Sequence, residues 1–198
     1  MRTTPKKVFI SSTAIDLPEY RKAAIHACQR LGFVPLCMEE FPPDPRDAVS
    51  VCLEHVGEAN AYLGIYAYRY GFVPDGSEIS LTEMEYQRAL ERGLPVLIFV
   101  VDPDFPWLPS QIEKGLGAER LEKFKIEIGR RHVFRKFREV HGFREDLLIF
   151  LPAQLLVADE KEEKEPPAES RLVSMSPTET RGQRGSLLPR KRLQSSTV

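Results

Sequence analysis

The sequence lacks long hydrophobic runs, and it carries almost no net charge. No apolar stretch approaches the roughly 18 residues that a membrane span requires, and the one after residue 7 is too short for a signal-peptide core. The 198 residues have a formal net charge of −1, so no overall field favours nucleic acid or an acidic membrane surface. We therefore expect a cytoplasmic protein that has neither nucleic-acid nor membrane partners.

Several motifs of familiar chemistry are also missing. The three cysteines form no C-x-x-C pair, which predicts reduced, mostly buried thiols. The four histidines show no H-E-x-x-H or H-x-H spacing, so we expect no metal site. The absence of G-x-S-x-G, G-x-G-x-x-G and P-loop motifs argues against serine hydrolases and the common nucleotide fingerprints.

Short apolar runs alternate with amphipathic helical patterns through most of the chain. A strand–helix alternation repeated five times predicts an α/β fold with right-handed crossovers and a parallel sheet. We expect a flavodoxin-like, five-stranded parallel sheet of order 2-1-3-4-5 with helices on both faces. The predicted strands span residues 8–10, 33–38, 61–66, 94–101 and 133–134. The first predicted helix begins with Asp16 as its cap, the second begins at Asp44 and the third begins after Ser80. The fourth runs from about Ser110 to near 128, and the last from about Phe143 to near 156.

The composition changes near residue 158. The preceding residues, 1–157, carry the apolar periodicity of one α/β domain. From Asp159 the sequence has no aromatic residues, an acidic run and a basic cluster near its end. Such a segment buries too little apolar surface to offset its ordering entropy, so residues 158–198 are predicted to form a disordered charged tail.

Polar side chains follow the first three predicted strands, where ligands bind in open parallel sheets. The hydroxyls after the first strand precede a helix N-terminus and suit a phosphate, although turn and capping roles explain them equally well. The arginine and the tyrosines after the third strand suit a nucleotide, and the alternating tyrosines could lie along one side of its base. The alternative is that the tyrosines pack against neighbouring loops and the arginine pairs with a local carboxylate. The predicted ligand-binding residues are Ser11, Ser12, Thr13, Asp16, Glu39, Tyr66, Arg69, Tyr70, Gly71 and Thr82.

Two glutamates begin the third helix, and helix geometry separates them. Glu83 has the capping-box spacing from Ser80, which is a structural role. Glu85 is rotated by about 160° from Glu83 and flanks the face that should meet the sheet, near the strand ends. Glu85 is therefore the predicted reactive carboxylate.

Six motifs follow one another along the chain: VFISST at 8–13, DL at 16–17, ME at 38–39 with Phe41, YLGIYAYRYG at 62–71, S-x-TE-x-EY at 80–86 and G-x-PVL at 93–97. These motifs resemble the domain of unknown function 4062 family over roughly residues 6 to 155. The family is similar in fold to TIR domains and nucleoside deoxyribosyltransferases, in which a glutamate early in the helix after strand three acts on the ribose. The T-x-x-E pattern of residues 82–85, together with Ala89, matches the pattern around that glutamate, so the resemblance implies this role for Glu85.

The resemblance implies a nucleotide- or NAD-binding sensor domain of a bacterial signalling or conflict system. It further implies self-association or a signalling NTPase partner. No NTPase or repeat module is present in this sequence, so we expect a stand-alone or truncated chain. The alternative is an enzyme that hydrolyses or transfers the N-glycosidic bond of NAD or a nucleoside through Glu85, with the nucleotide as substrate.

Overall fold

The structure is a computed structural model that describes residues 4–41 and 46–164, with the backbone alone at residues 40 and 157–164. The part of the predicted tail beyond Lys164 lies outside the described residues, and so does the start of the second helix predicted at Asp44. Within the described part, no helix has the length and apolar character to cross a bilayer.

Five parallel strands form one sheet of order β2-β1-β3-β4-β5, which confirms the predicted fold class. The strands are β1 (Lys7–Ser11), β2 (Val34–Leu36), β3 (Ala61–Tyr66), β4 (Val96–Val101) and β5 (Arg135–Phe137). The helices are α1 (Pro18–Arg30), α2 (Ala48–Glu58), α3 (Leu81–Glu91), α4 (Leu116–Arg131) and α5 (Val140–Lys164), with short 3-10 turns at Met38–Glu40 and Pro109–Gln111.

The central strands β1, β3 and β4 are buried on both faces because helices cover each side of the sheet. Alternate residues of a strand point to opposite faces, so each strand contributes to two apolar cores. On one face Ile10, Leu63 and Phe99 pack with buried residues of α1 and α5. On the other face Tyr62 and Ile98 pack with buried residues of α2, α3 and α4. This two-sided burial explains the near-continuous apolar runs of β3 and β4.

Local capping sets the helix starts, and two of them differ from the prediction. Asp16 does not cap α1: Leu17 occupies the N-cap position, and the Asp16 carboxylate instead accepts hydrogen bonds from Thr13 and the Tyr68 amide. Asp47 caps α2, where its Oδ1 accepts the Ser50 amide at 2.9 Å. Ser80 caps α3 as predicted, accepting the Glu83 amide at 3.2 Å.

The C-terminal third departs further from the predicted boundaries. Gly115 has a φ of 70°, which breaks the helix expected from residue 110 and delays α4 to Leu116. β5 begins at Arg135, because Phe137 is the residue that packs into the core while Val133 is fully exposed. The helix α5 continues to Lys164 beyond the expected end near 156, so residues 158–164 are helical rather than part of a disordered tail.

Candidate functional site

The carboxyl ends of β1, β2 and β3 open into a cavity of about 570 Å³, which we call the apical cavity. It lies where the strand order reverses between β1 and β3, the usual ligand position in such sheets. Its volume is within the range of about 300–1,000 Å³ that is typical of small-molecule sites. The predicted site residues that line it are Ser12, Thr13, Glu39, Arg69, Gly71, Thr82 and Glu85.

Glu85 reaches the apical cavity from the second turn of α3. The Ser80 cap fixes the start of the helix, so that Glu85 turns towards the sheet and is only 6% exposed. Ser11, at the end of β1, donates its hydroxyl proton to Glu85 Oε2 at 2.5 Å. Two elements, β1 and α3, therefore hold this carboxyl in a single position.

The Glu85 carboxyl titrates near neutral pH. Burial raises its pKa from 4.5 to about 7, and this effect outweighs the hydrogen bonds from Ser11 and Cys52 and the positive charge of Arg21, which lower it. A carboxyl with this pKa is partly ionised at pH 7. Perturbed acids of this kind in a cavity are concentrated at functional sites.

Arg21 is a site residue that the sequence analysis missed. It is 6% exposed, and its guanidinium donates to both carboxylate oxygens of Glu39 at 2.5 Å. It also donates to the backbone oxygen and the hydroxyl of Ser12, at 2.8 and 2.7 Å. Arg21 thereby joins the loops after β1 and β2, and its hydrogen bonds hold the pKa of Glu39 below its usual value. An arginine on the apolar face of a helix was the available signal.

Gly71 allows the loop after β3 to approach the other walls closely. Its φ is +94°, and a Cβ there would lie 3.1 Å from both Thr13 Cγ2 and Thr82 Oγ1. Arg69, two residues earlier, lines the cavity and is half-buried. It makes no hydrogen bond or ion pair with any described residue, and its positive charge acts on the nearby Asp16 carboxyl, where it opposes the rise in pKa caused by burial.

The predicted base-binding tyrosines are packed elsewhere, which corrects that part of the prediction. Tyr66 is 3% exposed; its hydroxyl lies 2.9 Å from that of Tyr62, and its ring fills the space left by Gly64. Tyr70 is equally buried, and its hydroxyl donates to Glu83 at 2.5 Å. Tyr68 packs in the opposite core, because the tyrosines do not share one side once the strand ends at Tyr66.

Two further predicted residues lie behind the cavity wall. Asp16 is 2% exposed and is occupied by the Thr13 hydroxyl and the Tyr68 amide; burial, the largest influence, raises its pKa. Ser11 is 1% exposed and reaches the cavity only through Glu85. The cysteines are free and buried, and the described residues contain no cluster of three or more His, Cys, Asp or Glu that could hold a metal ion.

Several solved structures align with the chain at low sequence identity. A CMP N-glycosidase, BcmB, from Clostridium botulinum matches with a TM-score of 0.44 and 10% identity, covering 73% of this chain and 99% of that one. The TIR domains of the activated Roq1 resistosome match with a TM-score of 0.44 and 18% identity, covering 72% and 81%. A 2-desoxiribosyltransferase from Leishmania mexicana matches with a TM-score of 0.36 and 16% identity, covering 65% and 100%. These scores are too low for the matches to bear on the site.

Sequence comparison gives a more specific result. No curated protein matches the chain significantly. The family model described as a domain of unknown function, DUF4062, matches residues 7–149, which is most of the α/β domain. The chain therefore belongs to the DUF4062 family.

Proposed function

We propose that the chain binds a nucleotide or nucleoside, NAD included, in the apical cavity, with the ribose against Glu85. The observation that carries this proposal is the Glu85 carboxyl, buried, held by Ser11 and facing a cavity of ligand size. A carboxylate accepts hydrogen bonds from two neighbouring hydroxyls, which is the pattern that a ribose offers.

The remaining walls supply groups for the other polar parts of a nucleotide. Arg69 makes no hydrogen bond or ion pair with a described residue, and a guanidinium is the side chain best suited to bidentate phosphate binding. Ser12 lines the same cavity, and its hydroxyl accepts from Arg21 and keeps its own proton for a phosphate, whereas the Thr13 hydroxyl already donates to Asp16. Arg21 and Glu39 neutralise each other and shape the wall, so Arg69 is the lining cation that we assign to the phosphate.

The sensor role in a bacterial signalling or conflict system is part of this proposal and rests on the family resemblance. In that role the bound nucleotide stabilises the domain, because a ligand that binds only the folded state adds to its stability. Self-association or an NTPase partner would then transmit the signal.

A second function, cleavage of an N-glycosidic bond, is favoured by the pKa of Glu85 near 7. The bond from the anomeric carbon of the ribose to the base breaks, and the base leaves with the bonding electrons. The base of a neutral nucleoside takes up a proton as it leaves, whereas the nicotinamide of NAD leaves as a neutral molecule without one. Water adds its oxygen to that carbon and releases a proton. An ionised Glu85 beside the sugar stabilises the oxocarbenium-like charge that develops in between.

Thermal denaturation with AMP, ATP, NAD, adenosine and cytidine tests the proposal, and chromatography of the same samples detects free base. The wild-type protein should show a raised Tm with at least one of these compounds. Glu85→Gln should lose most of that shift. Glu91→Gln, an exposed change on the same helix, should keep it.

Release of base by the wild type and not by Glu85→Gln would support the enzymatic alternative. A Tm shift without any product supports the binding proposal alone. If none of the compounds raises the Tm or yields free base, both functions are contradicted. If the Tm shift persists in Glu85→Gln, Glu85 does not contact the ligand.

A further inference from the structure

Three exposed apolar side chains line the apical cavity. Ile15, Met38 and Phe72 are 64%, 50% and 66% exposed. Each comes from a different loop, following β1, β2 and β3 respectively. Scattered exposed apolar residues need no explanation, but several that gather at the mouth of one cavity mark a binding surface.

Phe72 is exposed although its backbone is firmly held. Its carbonyl oxygen accepts the Leu81 amide at 2.8 Å, which ties the loop to the first residue of α3. The preceding Gly71 fits closely between Thr13 and Thr82. An aromatic ring on a fixed backbone loses little conformational freedom when a ligand stacks on it. Phe72 thus has the properties of a preformed contact surface.

We propose that Ile15, Met38 and Phe72 form an apolar clamp that holds the aromatic base of the nucleotide. This inference rests on the proposed function and specifies the part of the ligand that Glu85 and Arg69 leave unbound. A base stacks on an aromatic ring and packs well against the polarizable thioether of methionine. The clamp replaces the role that the sequence analysis assigned to Tyr66 and Tyr70.

The chemistry of the clamp also predicts its selectivity. Its three side chains carry no donor and no acceptor stronger than the weakly accepting thioether of Met38, so they read the polar edge of a base poorly. Stacking grows with the area of the ring, and we therefore expect purine nucleotides to bind more tightly than pyrimidine nucleotides, with little distinction between adenine and guanine.

Calorimetric titration with AMP and with ribose 5-phosphate, which lacks a base, tests the clamp. Phe72→Ala should weaken AMP binding by at least about fivefold, the lower end of what a stacking aromatic contributes. It should leave ribose 5-phosphate binding unchanged. Leu108→Ala, a 63% exposed apolar position outside the cavity, serves as the matched control and should change neither titration.

A fluorescence measurement gives a second readout. Trp107 is the single tryptophan, and it lies outside the apical cavity. In a Trp107→Phe background, Phe72→Trp should retain AMP binding, and AMP should quench its emission while ribose 5-phosphate should not. This variant keeps the aromatic surface and reports directly on contact with a base.

The outcomes separate the clamp from the proposed function. If AMP and ribose 5-phosphate both bind the wild type and Phe72→Ala weakens neither, the clamp is overturned while the ribose site at Glu85 stands. If Phe72→Ala weakens both ligands equally, Phe72 supports the loop and not the base, which also overturns the clamp. If the wild type binds neither compound, the clamp is overturned, and the proposed function fails with it when no compound of the Tm panel binds either.

Discussion

Replacing Glu85 with glutamine should stabilise the folded protein above neutral pH. The substitution keeps the shape of the side chain and its acceptor for the Ser11 hydroxyl, but removes a charge from a buried position. A buried carboxylate is unfavourable unless it is fully paired, and Arg21, the nearby cation, is already engaged by Glu39. The gain should therefore depend on whether Glu85 is ionised.

The pKa of Glu85 sets the size and the pH window of this effect. Its folded-state pKa of about 7 lies above the ordinary value of 4.5, so the folded state binds more protons than the unfolded state between these values. The wild type thus loses stability as the pH rises from 4.5 to 7 and stays at the lower level above 7. At about 1.4 kcal/mol per pKa unit, the difference between pH 5 and pH 8 amounts to about 2 to 3 kcal/mol.

Urea unfolding of the wild type and Glu85→Gln at pH 5 and pH 8 measures this difference. The free energy of unfolding of the variant minus that of the wild type should be about 2 to 3 kcal/mol larger at pH 8. Asp16 and Glu39 titrate in both proteins, so their contributions cancel in the subtraction. Glu91→Gln should show no such pH dependence. An equal difference at both pH values for Glu85→Gln would refute the assignment of a neutral-range pKa to this buried carboxyl.

Two further substitutions test the walls of the site. Gly71→Ala should lower the free energy of unfolding in urea by about 1 to 3 kcal/mol, because its positive φ and its close neighbours both oppose a Cβ. Gly76→Ala, with a positive φ but no atom nearby, should lower it less, and an equal loss would contradict the close approach at Gly71. Ser11→Ala should raise the pKa of Glu85 further, because the hydrogen bond that it removes favours the ionised carboxylate. Titration of the Glu85 carboxyl by 13C NMR measures this pKa, and an unchanged or lower value would contradict the hydrogen bond from Ser11.

The sheet topology could be predicted from the sequence because local signals agree with it. The β3 range of Ala61–Tyr66 was predicted without error, since a buried central strand is a continuous apolar run with turn residues on both sides. The Ser80 cap was equally local and fixed the rotation of α3, which is why Glu85 and Glu83 could be separated. Boundaries failed at Gly115, where a backbone conformation that sequence periodicity does not reveal interrupts the expected helix.

The parts of the site that were missed depend on partners far away along the chain. Tyr66 was expected in the cavity, but it packs against Phe124, 58 positions away, and Tyr70 bonds to Glu83. Arg21 was missed because its role is defined by Glu39, which approaches only when β2 pairs with β1. Local patterns locate the ends of strands, whereas tertiary contacts decide which side chains face the cavity.

The central claim, a nucleotide held at Glu85 in the apical cavity, is tested most directly by a crystal structure of the protein with AMP bound. The account predicts electron density for the ribose within hydrogen-bonding distance of the Glu85 carboxyl, the phosphate at Arg69 and the base against Phe72. Density for AMP at another surface, with the cavity around Glu85 filled by solvent alone, would contradict it.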